Sequence, residues 1–300
     1  MCAIYARIHG INLYQPLKKV EPKQPHFSQT YFGSTFFKKV DKIKYNVTAM
    51  NNQNALLFDV VIPIGPNDIS KIKLQIQHTK KNVIGHRNIY IVPYDPKIQI
   101  KGCITIEEST FPFSKNTIIQ YHGKSSRNGW YLQQLLKLYA GVVIPGILDR
   151  YLVIDSDTFF LKPTHFVCMQ TGKCLYNYST EYHAPYLIHM NRLHPTLNRK
   201  LKGVSGISHH MMFETKYINQ LFRMVEERRP GKPFYQVFLE NVEPKHKLLS
   251  GASEYEIYFN YILLYHENQV LIRPLKWANV KSYTTNVPLP FDYISWHWYK

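Results

Sequence analysis

Hydrophobic and polar positions fall in blocks along the chain, and the blocks predict alternating strands and helices. Leu56-Leu57-Phe58-Asp59-Val60-Val61-Ile62-Pro63-Ile64 is a nearly unbroken apolar run of strand length, the pattern of a strand covered on both faces. Gly65-Pro66-Asn67-Asp68 predicts a turn, with Asp68 as N-cap of a helix over about 69–80. In that helix Ile69, Ile72, Leu74 and Ile76 keep the helical period only in part. Asn88 to Pro93 predicts a second strand, closed by the turn residues Tyr94-Asp95-Pro96, and Cys103 to Ile106 a short third. Gly123 to Gly129 reads as a small basic loop holding Lys124 and Arg127. Leu132, Leu135, Leu136 and Tyr139 then share one face of a helix that Gly141 is expected to end as C′ residue. Gln133, Gln134 and Lys137 form its polar face.

Tyr151-Leu152-Val153-Ile154 is the next buried strand, and it runs into Asp155-Ser156-Asp157 and a second apolar triplet ending at Leu161. Beyond Pro163 the pattern weakens. A strand over Leu175–Tyr178, a His- and Tyr-rich loop over 181–195 and a short strand within 203–213 carrying His209-His210 are expected. A helix over 216–228 follows, and a second strong helix opens at Ser253-Glu254-Tyr255-Glu256. Residues 1–54 show no clean period and carry Pro16, Pro22 and Pro25, so they read as an extension or irregular cap. Strand, helix, strand, strand is the opening of a nucleotide-binding α/β unit, with a central, mostly parallel sheet flanked by helices.

Composition adds bounds. At 300 residues, 45% hydrophobic and 19% charged, the chain has the makeup of a soluble globular protein with a sizeable core. The net charge of +17 would attract an anionic partner: nucleic acid, an acidic membrane face or a nucleotide. Its basic residues are scattered in pairs such as Lys18-Lys19, so no nucleic-acid tail is expected. The 23 Tyr suit a cleft in which sugar rings stack, and suit equally the codon usage of an AT-rich genome. Cys2, Cys103, Cys168 and Cys174 show neither zinc spacing nor a disulfide framework, which fits reduced thiols in the cytoplasm. No signal peptide or run of roughly 20 apolar residues is present to suggest export or a membrane span, so the sequons at Asn46 and Asn177 are expected to stay unused.

Five constellations carry candidate chemistry. Asp155 and Asp157 at a strand end offer hard oxygen donors for Mg²⁺ or Mn²⁺ carrying nucleotide phosphates; the bland alternative is a pair of turn caps. Arg127, Lys124 and Lys137 nearby would offset charge on a leaving phosphate, or simply be exposed cations on a basic protein. Ser253-x-x-Glu256 matches a capping box, which leaves Glu254 as a candidate general base or a carboxylate on the helix dipole. His209 and His210, adjacent on a strand, point to opposite faces, so at most one reaches the cleft; a core histidine is the alternative. His297, between Trp296 and Trp298, is a candidate third metal ligand or part of an aromatic plug. Haloacid-dehalogenase-type phosphatases also place Asp-x-Asp after a strand, but Phe159 stands where they have Thr or Val, and here at least three strands come first.

The segments Phe58 to Asp68, Arg127 to Leu138, Leu152 to Thr158 and Ser208 to Met211, in this order, resemble glycosyltransferases of the GT-A fold. More narrowly they look like a glycosyltransferase-like family of bacteria and large DNA viruses. The resemblance covers about residues 55–265 and leaves the extension uncovered. It implies one Rossmann-like domain over 55–300, a nucleotide-sugar donor (a UDP-sugar first) and Mn²⁺ or Mg²⁺ on Asp155 and Asp157. His297 would complete the metal site, although the residues around it depart from the pattern those enzymes carry.

The expectation is metal-dependent transfer of a sugar from a nucleotide-sugar donor to a hydroxyl of a glycan, protein or small-molecule acceptor. Pro63, Gly65, Asp68, Tyr94 and Asp95 would cradle the nucleoside, with Arg127, Gln134, Lys137 and Ser156 around the diphosphate. His209, His210 and Glu254 would face the acceptor, Glu254 being the base if the anomeric carbon inverts. Localisation would be cytoplasmic, in the host cytoplasm if the protein is viral. Two alternatives from other classes are a non-catalytic nucleotide- or glycan-binding protein on the same fold, and a basic nucleic-acid-binding protein.

Overall fold

The computed structural model describes residues 4–8 and 11–15, as strands, together with 56–283 and 290–297. The rest of the expected extension over 1–54, with Cys2 and Asn46, lies outside the described residues, as does Trp298. The strands are β1 Ile4–Ile8, β2 Ile11–Gln15, β3 Phe58–Ile64, β4 Val83–Ile84, β5 His86–Pro93, β6 Ile104–Thr105, β7 Arg150–Ile154, β8 Thr158–Phe160, β9 Thr164–His165, β10 Cys174–Tyr176, β11 His210–Glu214, β12 Val270–Ile272, β13 Trp277–Val280 and β14 Tyr293–Trp296. The helices are α1 Ile69–Asn82, α2 Lys115–His122, α3 Asn128–Val143, α4 Ala184–Leu193, α5 Thr215–Glu226, α6 Phe234–Glu240 and α7 Glu254–Tyr265.

The fold is mixed α/β, with a central, mostly parallel sheet in the order β11-β7-β3-β5-β6 and helices against it. β3 runs parallel to β5 and β7, and β5 parallel to β6; β11 alone is antiparallel, on β7. The apolar runs dictate this position, because Val60, Val61, Ile62, Leu152, Val153 and Ile154 leave no solvated face and are all 0% exposed. One charge is admitted into β3. Asp59 is fully buried and satisfied by Arg87 Nη2 at 2.6 Å and by the backbone N–H groups of Asn88 and Leu148. Since β3, β5 and β7 are parallel, their carboxyl ends open on one edge, where Ile64, Pro93 and Ile154 stop.

A second sheet, β1-β2-β13-β14-β8, flanks that edge. β14 lies antiparallel to β8 with Ser295 opposite Thr158, their hydroxyls 2.8 Å apart. Trp296 N–H donates to the Asp157 carbonyl at 2.7 Å, and Lys71 Nζ, from α1, donates to the Trp296 carbonyl at 2.7 Å. This register brings His297 from the far end of the chain to the carboxylate of Asp157. A slip of one residue would turn it to the other face.

Several expectations change. Gly141 does not end its helix, since α3 continues to Val143. The glycine is there because a Cβ would overlap the Tyr151 ring and Thr215 Oγ1. Asp68 stands at the N-cap position of α1 but gives it no side-chain bond, because its carboxylate accepts from Ser156 Oγ at 2.7 Å instead. The expected loop over 181–195 contains α4; Pro185 sits in its first turn, where a missing N–H costs nothing. In α7 the capping box is half made. Ser253 Oγ accepts from Glu256 N–H, but the Glu256 carboxylate turns to Ser205 Oγ (2.7 Å) and Gly206 N–H (2.9 Å). The reason is burial: every residue from Glu254 to Leu263 is enclosed, so the carboxylate must satisfy neighbouring buried donors. Cys103, Cys168 and Cys174 are free thiols, and among the described residues no helix is long and apolar enough to cross a membrane.

Gly141→Ala separates propensity from packing. Helix propensity alone favours Ala by about 1 kcal/mol, while overpacking a filled core costs about 1–3 kcal/mol. The expected outcome is a net loss of up to about 2 kcal/mol in chemical denaturation. A more stable variant would show that Tyr151 and Thr215 can yield.

Candidate active site

The open edge of the central sheet forms a cleft of about 590 Å³. Pro63, Gly65 and Asp68 line it from the end of β3, Asp155, Ser156 and Asp157 from the end of β7, and Arg127 from the start of α3. His209 and His297 line it as well, and both also border an adjoining polar chamber of about 240 Å³. That chamber adds Gln134, Lys137 and Glu254. Lys124, Asp95 and His210 are the expected site residues that border neither space, Lys124 being exposed on the loop before α3. Asp95 caps its own turn, accepting from Lys97 N–H at 3.0 Å, and it is Tyr94 that reaches the cleft. His210 is packed among Phe160, Phe166 and Tyr293, and burial pushes its imidazole pKa down to about 3, so it is a neutral core residue.

Behind the cleft lies a buried charge cluster. Lys137, with a side chain 3% exposed, extends from α3 between Asp155 Oδ1 at 2.5 Å and Glu254 Oε1 at 2.7 Å, over the Tyr255 ring. Burial opposes its charge, but the two carboxylates outweigh burial and hold its pKa above the ordinary lysine value. Burial likewise works against the Asp155 anion; Lys137 and the His209 hydrogen bond win and hold that carboxyl far below the usual range. Glu254 goes the other way. Burial raises its pKa, Lys137 only partly offsets this, and the charge of Asp155 adds to the rise. Of two carboxylates sharing one ammonium, Glu254 is therefore the one that takes a proton first.

Asp155 is fully engaged. Besides Lys137, its Oδ1 accepts from Tyr255 OH at 2.8 Å, and its Oδ2 faces His209 Nδ1 at 3.2 Å. His209 has a left-handed backbone, φ 61°, the one such non-glycine residue among those described. Its carbonyl accepts from Asp155 N–H at 3.0 Å, which holds that conformation. Burial lowers its pKa less than the Asp155 hydrogen bond and the charges of Asp155 and Asp157 raise it. Asp157 differs from its neighbour two residues back: its Oδ2 lies 3.0 Å from His297 Nδ1, and His297 Nε2 is 2.8 Å from Asn279 Oδ1. Asp68 adds a third acid. Its Oδ1 is buried with no hydrogen-bond donor, Lys71 Nζ standing off at 3.6 Å, and burial together with Asp157 raises its pKa. Among the described residues no three His, Cys, Asp or Glu side chains already converge as a finished metal-ligand set.

Arg127 begins α3 with its guanidinium 5.6 Å from the Trp130 ring centre, so helix N-terminus and cation face the cleft together. Tyr255, Asn279 and Lys71 were not legible as site residues. Tyr255 looks like a core aromatic of α7, Asn279 and Lys71 like ordinary polar positions, and only tertiary pairing gives them their contacts.

A family model described as a family of unknown function, DUF6492, matches residues 52–282. No curated protein matches the chain. Among solved structures, the crystal structure of mouse xyloside xylosyltransferase 1 in its apo form superposes with a TM-score of 0.39 and 10% sequence identity, over 76% of this chain and 88% of that one. At that depth of superposition the chemistry has to come from the residues of the site.

Lys137→Met tests the charge cluster. Removing one partner of a buried ionic group costs about 3–5 kcal/mol, and we expect about 3 kcal/mol at pH 7 in urea denaturation. The sign with pH follows from Asp155. Its folded pKa is depressed, so its contribution is complete above the unfolded value of about 3.9 and is lost as pH falls through the folded value. The gap between wild type and variant should therefore narrow below about pH 4. A gap that widens in acid would contradict the assignment.

Proposed function

The chain belongs to this family of unknown function, and we propose that it is a metal-dependent glycosyltransferase moving a sugar from a nucleotide-sugar donor, a UDP-sugar first, to an acceptor hydroxyl. One observation carries the reading: the pair Asp157–His297, joined across the chain at 3.0 Å on the wall of a nucleotide-sized cleft at the carboxyl edge of a parallel sheet. The resemblance of the four segments to GT-A enzymes points the same way.

The donor groups suit a hard or borderline divalent cation. His297 stands between two oxygen acceptors, and a neutral ring donates to only one. Without a cation the proton between Nδ1 and the Asp157 carboxylate joins the two; with Nε2–H given to Asn279 instead, the Nδ1 lone pair and that carboxylate would share a cation in the proton's place. The buried, donor-less Asp68 Oδ1 nearby gains from the same charge. Asp157 and His297 would hold Mn²⁺ or Mg²⁺ in front of Asp155, and that ion would supply Lewis-acid neutralisation of the departing diphosphate.

The chain's own residues divide the remaining work. Arg127 and the N-terminus of α3 would bind the phosphates, whose charge grows as the glycosidic bond breaks. Pro63, Gly65 and Tyr94 would wall the nucleoside, and Ser156, fixed by Asp68, would keep the Asp155–Asp157 turn in place. The acceptor would enter the polar chamber. There Glu254, whose raised pKa suits a proton acceptor, would take the hydroxyl proton in an inverting reaction; a retaining reaction needs no base at that position.

The test is a thermal-shift panel of nucleotide sugars with and without Mn²⁺, followed by turnover assays on any donor that stabilises the fold. We expect a stabilising donor, metal-dependent release of nucleoside diphosphate, and loss of at least 100-fold in Asp157→Asn with an unchanged far-UV spectrum. Donor binding without turnover would favour the non-catalytic binding protein. Equal turnover by Asp157→Asn, or in the presence of chelator, would overturn the metal assignment.

A further inference from the structure

His209 has the construction of a metal ligand. Asp155 is a carboxylate, an acceptor only, so Nδ1 of His209 must carry the proton between them at 3.2 Å. In the neutral ring that fixes the tautomer and leaves the lone pair on Nε2, which is buried and has no hydrogen-bond partner. A buried acceptor without a donor costs about 1–3 kcal/mol, and it persists here on a backbone at φ 61° that most residues with a side chain avoid. The ring lies 5.3 Å, centre to centre, from His297 and borders both the cleft and the chamber. His297 repeats the arrangement: one nitrogen rests on an oxygen, Asn279 Oδ1 at 2.8 Å, and the other faces Asp157. Imidazoles that bind metals are built in this way, with the far nitrogen tied to a carboxylate or carbonyl.

We propose, on the reading of a metal-dependent site given above, that His209 Nε2 ligates the same ion as His297 Nδ1 and Asp157, and that Asp155 is not a ligand but the carboxylate that orients His209. Both oxygens of Asp155 are already engaged, by Lys137, Tyr255 and His209, whereas the His209 Nε2 is not. Among the described residues these three groups do not converge as a ligand set, so the proposal requires His209 to move toward the Asp157–His297 pair when the ion binds. Two imidazole nitrogens and one carboxylate also choose the metal. Imidazole suits first-row transition ions and Mg²⁺ prefers oxygen, so the site should select Mn²⁺ over Mg²⁺. The backbone of His209 is the constraint that makes this arrangement possible, since it turns the residue out of line with β11 just before His210 enters the core.

The experiment uses the full chain and Mn²⁺ alone, with no donor and no turnover. Titration calorimetry gives affinity, and pulsed electron-spin resonance of bound Mn²⁺ counts the coupled imidazole nitrogens. Wild type should show two coupled imidazoles and bind Mn²⁺ at least tenfold more tightly than Mg²⁺. His209→Asn keeps a residue that tolerates the left-handed backbone; it should retain one coupled imidazole and lose at least tenfold in affinity. Asp155→Asn should weaken binding about 10–100-fold, as loss of an orienting partner does, and still show two. One coupled imidazole in wild type, or two in His209→Asn, would overturn the proposal while leaving metal dependence standing. No Mn²⁺ binding by wild type would overturn both.

Discussion

A single buried ammonium decides how the parts of this site meet. Lys137 joins the middle of α3, the end of β7 and the first turn of α7 through Asp155 and Glu254. None of the three groups could be buried alone, because an isolated charge in the interior costs several kcal/mol or neutralises itself. Their mutual dependence fixes the distance between two helices and the strand end from which Ser156 and Asp157 enter the cleft. It also ranks the acids. Asp155 keeps its charge because Lys137 and His209 both serve it, and Glu254 is left as the more basic partner. A cluster that holds these elements together thus sets the protonation states of the acids beside the cleft.

The second constraint is register. His297 is 140 residues from Asp157 in sequence, and the two meet because β14 pairs with β8 at Ser295 and Thr158. The match between those hydroxyls and the tie from Lys71 to the Trp296 carbonyl act on the strand before the histidine, not on its ring. The groups that line the cleft are therefore carried by two sheets, one contributing the acids and the other His297 and Asn279. A change in how the sheets sit would alter the site without touching any of its side chains.

The sequence was legible where one periodic pattern sufficed. The buried strands β3 and β7, the apolar face of α3, the acidic turn after β7 and the cation at the start of α3 all follow from local runs of residues. His209 and His210 could be told to face opposite ways, though not which faced the cleft. That depends on a left-handed residue just before β11, and nothing in Ser208-His209-His210 announces it. Gly141 illustrates the converse error. A glycine near the end of an apolar helical face has the look of a stop, but here its missing side chain accommodates the ring of Tyr151 across the helix–strand interface. α4 is hidden in a segment whose His and Tyr content reads as a loop, and its Pro185 fits a helix only because it falls in the first turn. Glu256 was read from spacing alone, and spacing cannot show that its helix would be enclosed on every side.

Asp155 and Asp157 make the limit of motif reading concrete. They are the same residue type, two positions apart, in a stretch whose sequence gives each an equal claim to a cation. What separates them comes entirely from elsewhere: an ammonium from α3, a phenol from α7 and an imidazole ahead of β11 occupy the first, whereas the second meets one histidine from the chain's far end. A carboxylate already held by an ammonium, a phenol and an imidazole gains less from a further cation than one with a single partner, because its charge is already offset. The spacing of the pair therefore tells where a cation would sit, and the neighbours tell which oxygen would touch it. On that reasoning the first acid would act at one remove, through the ring it orients, and the second would act directly.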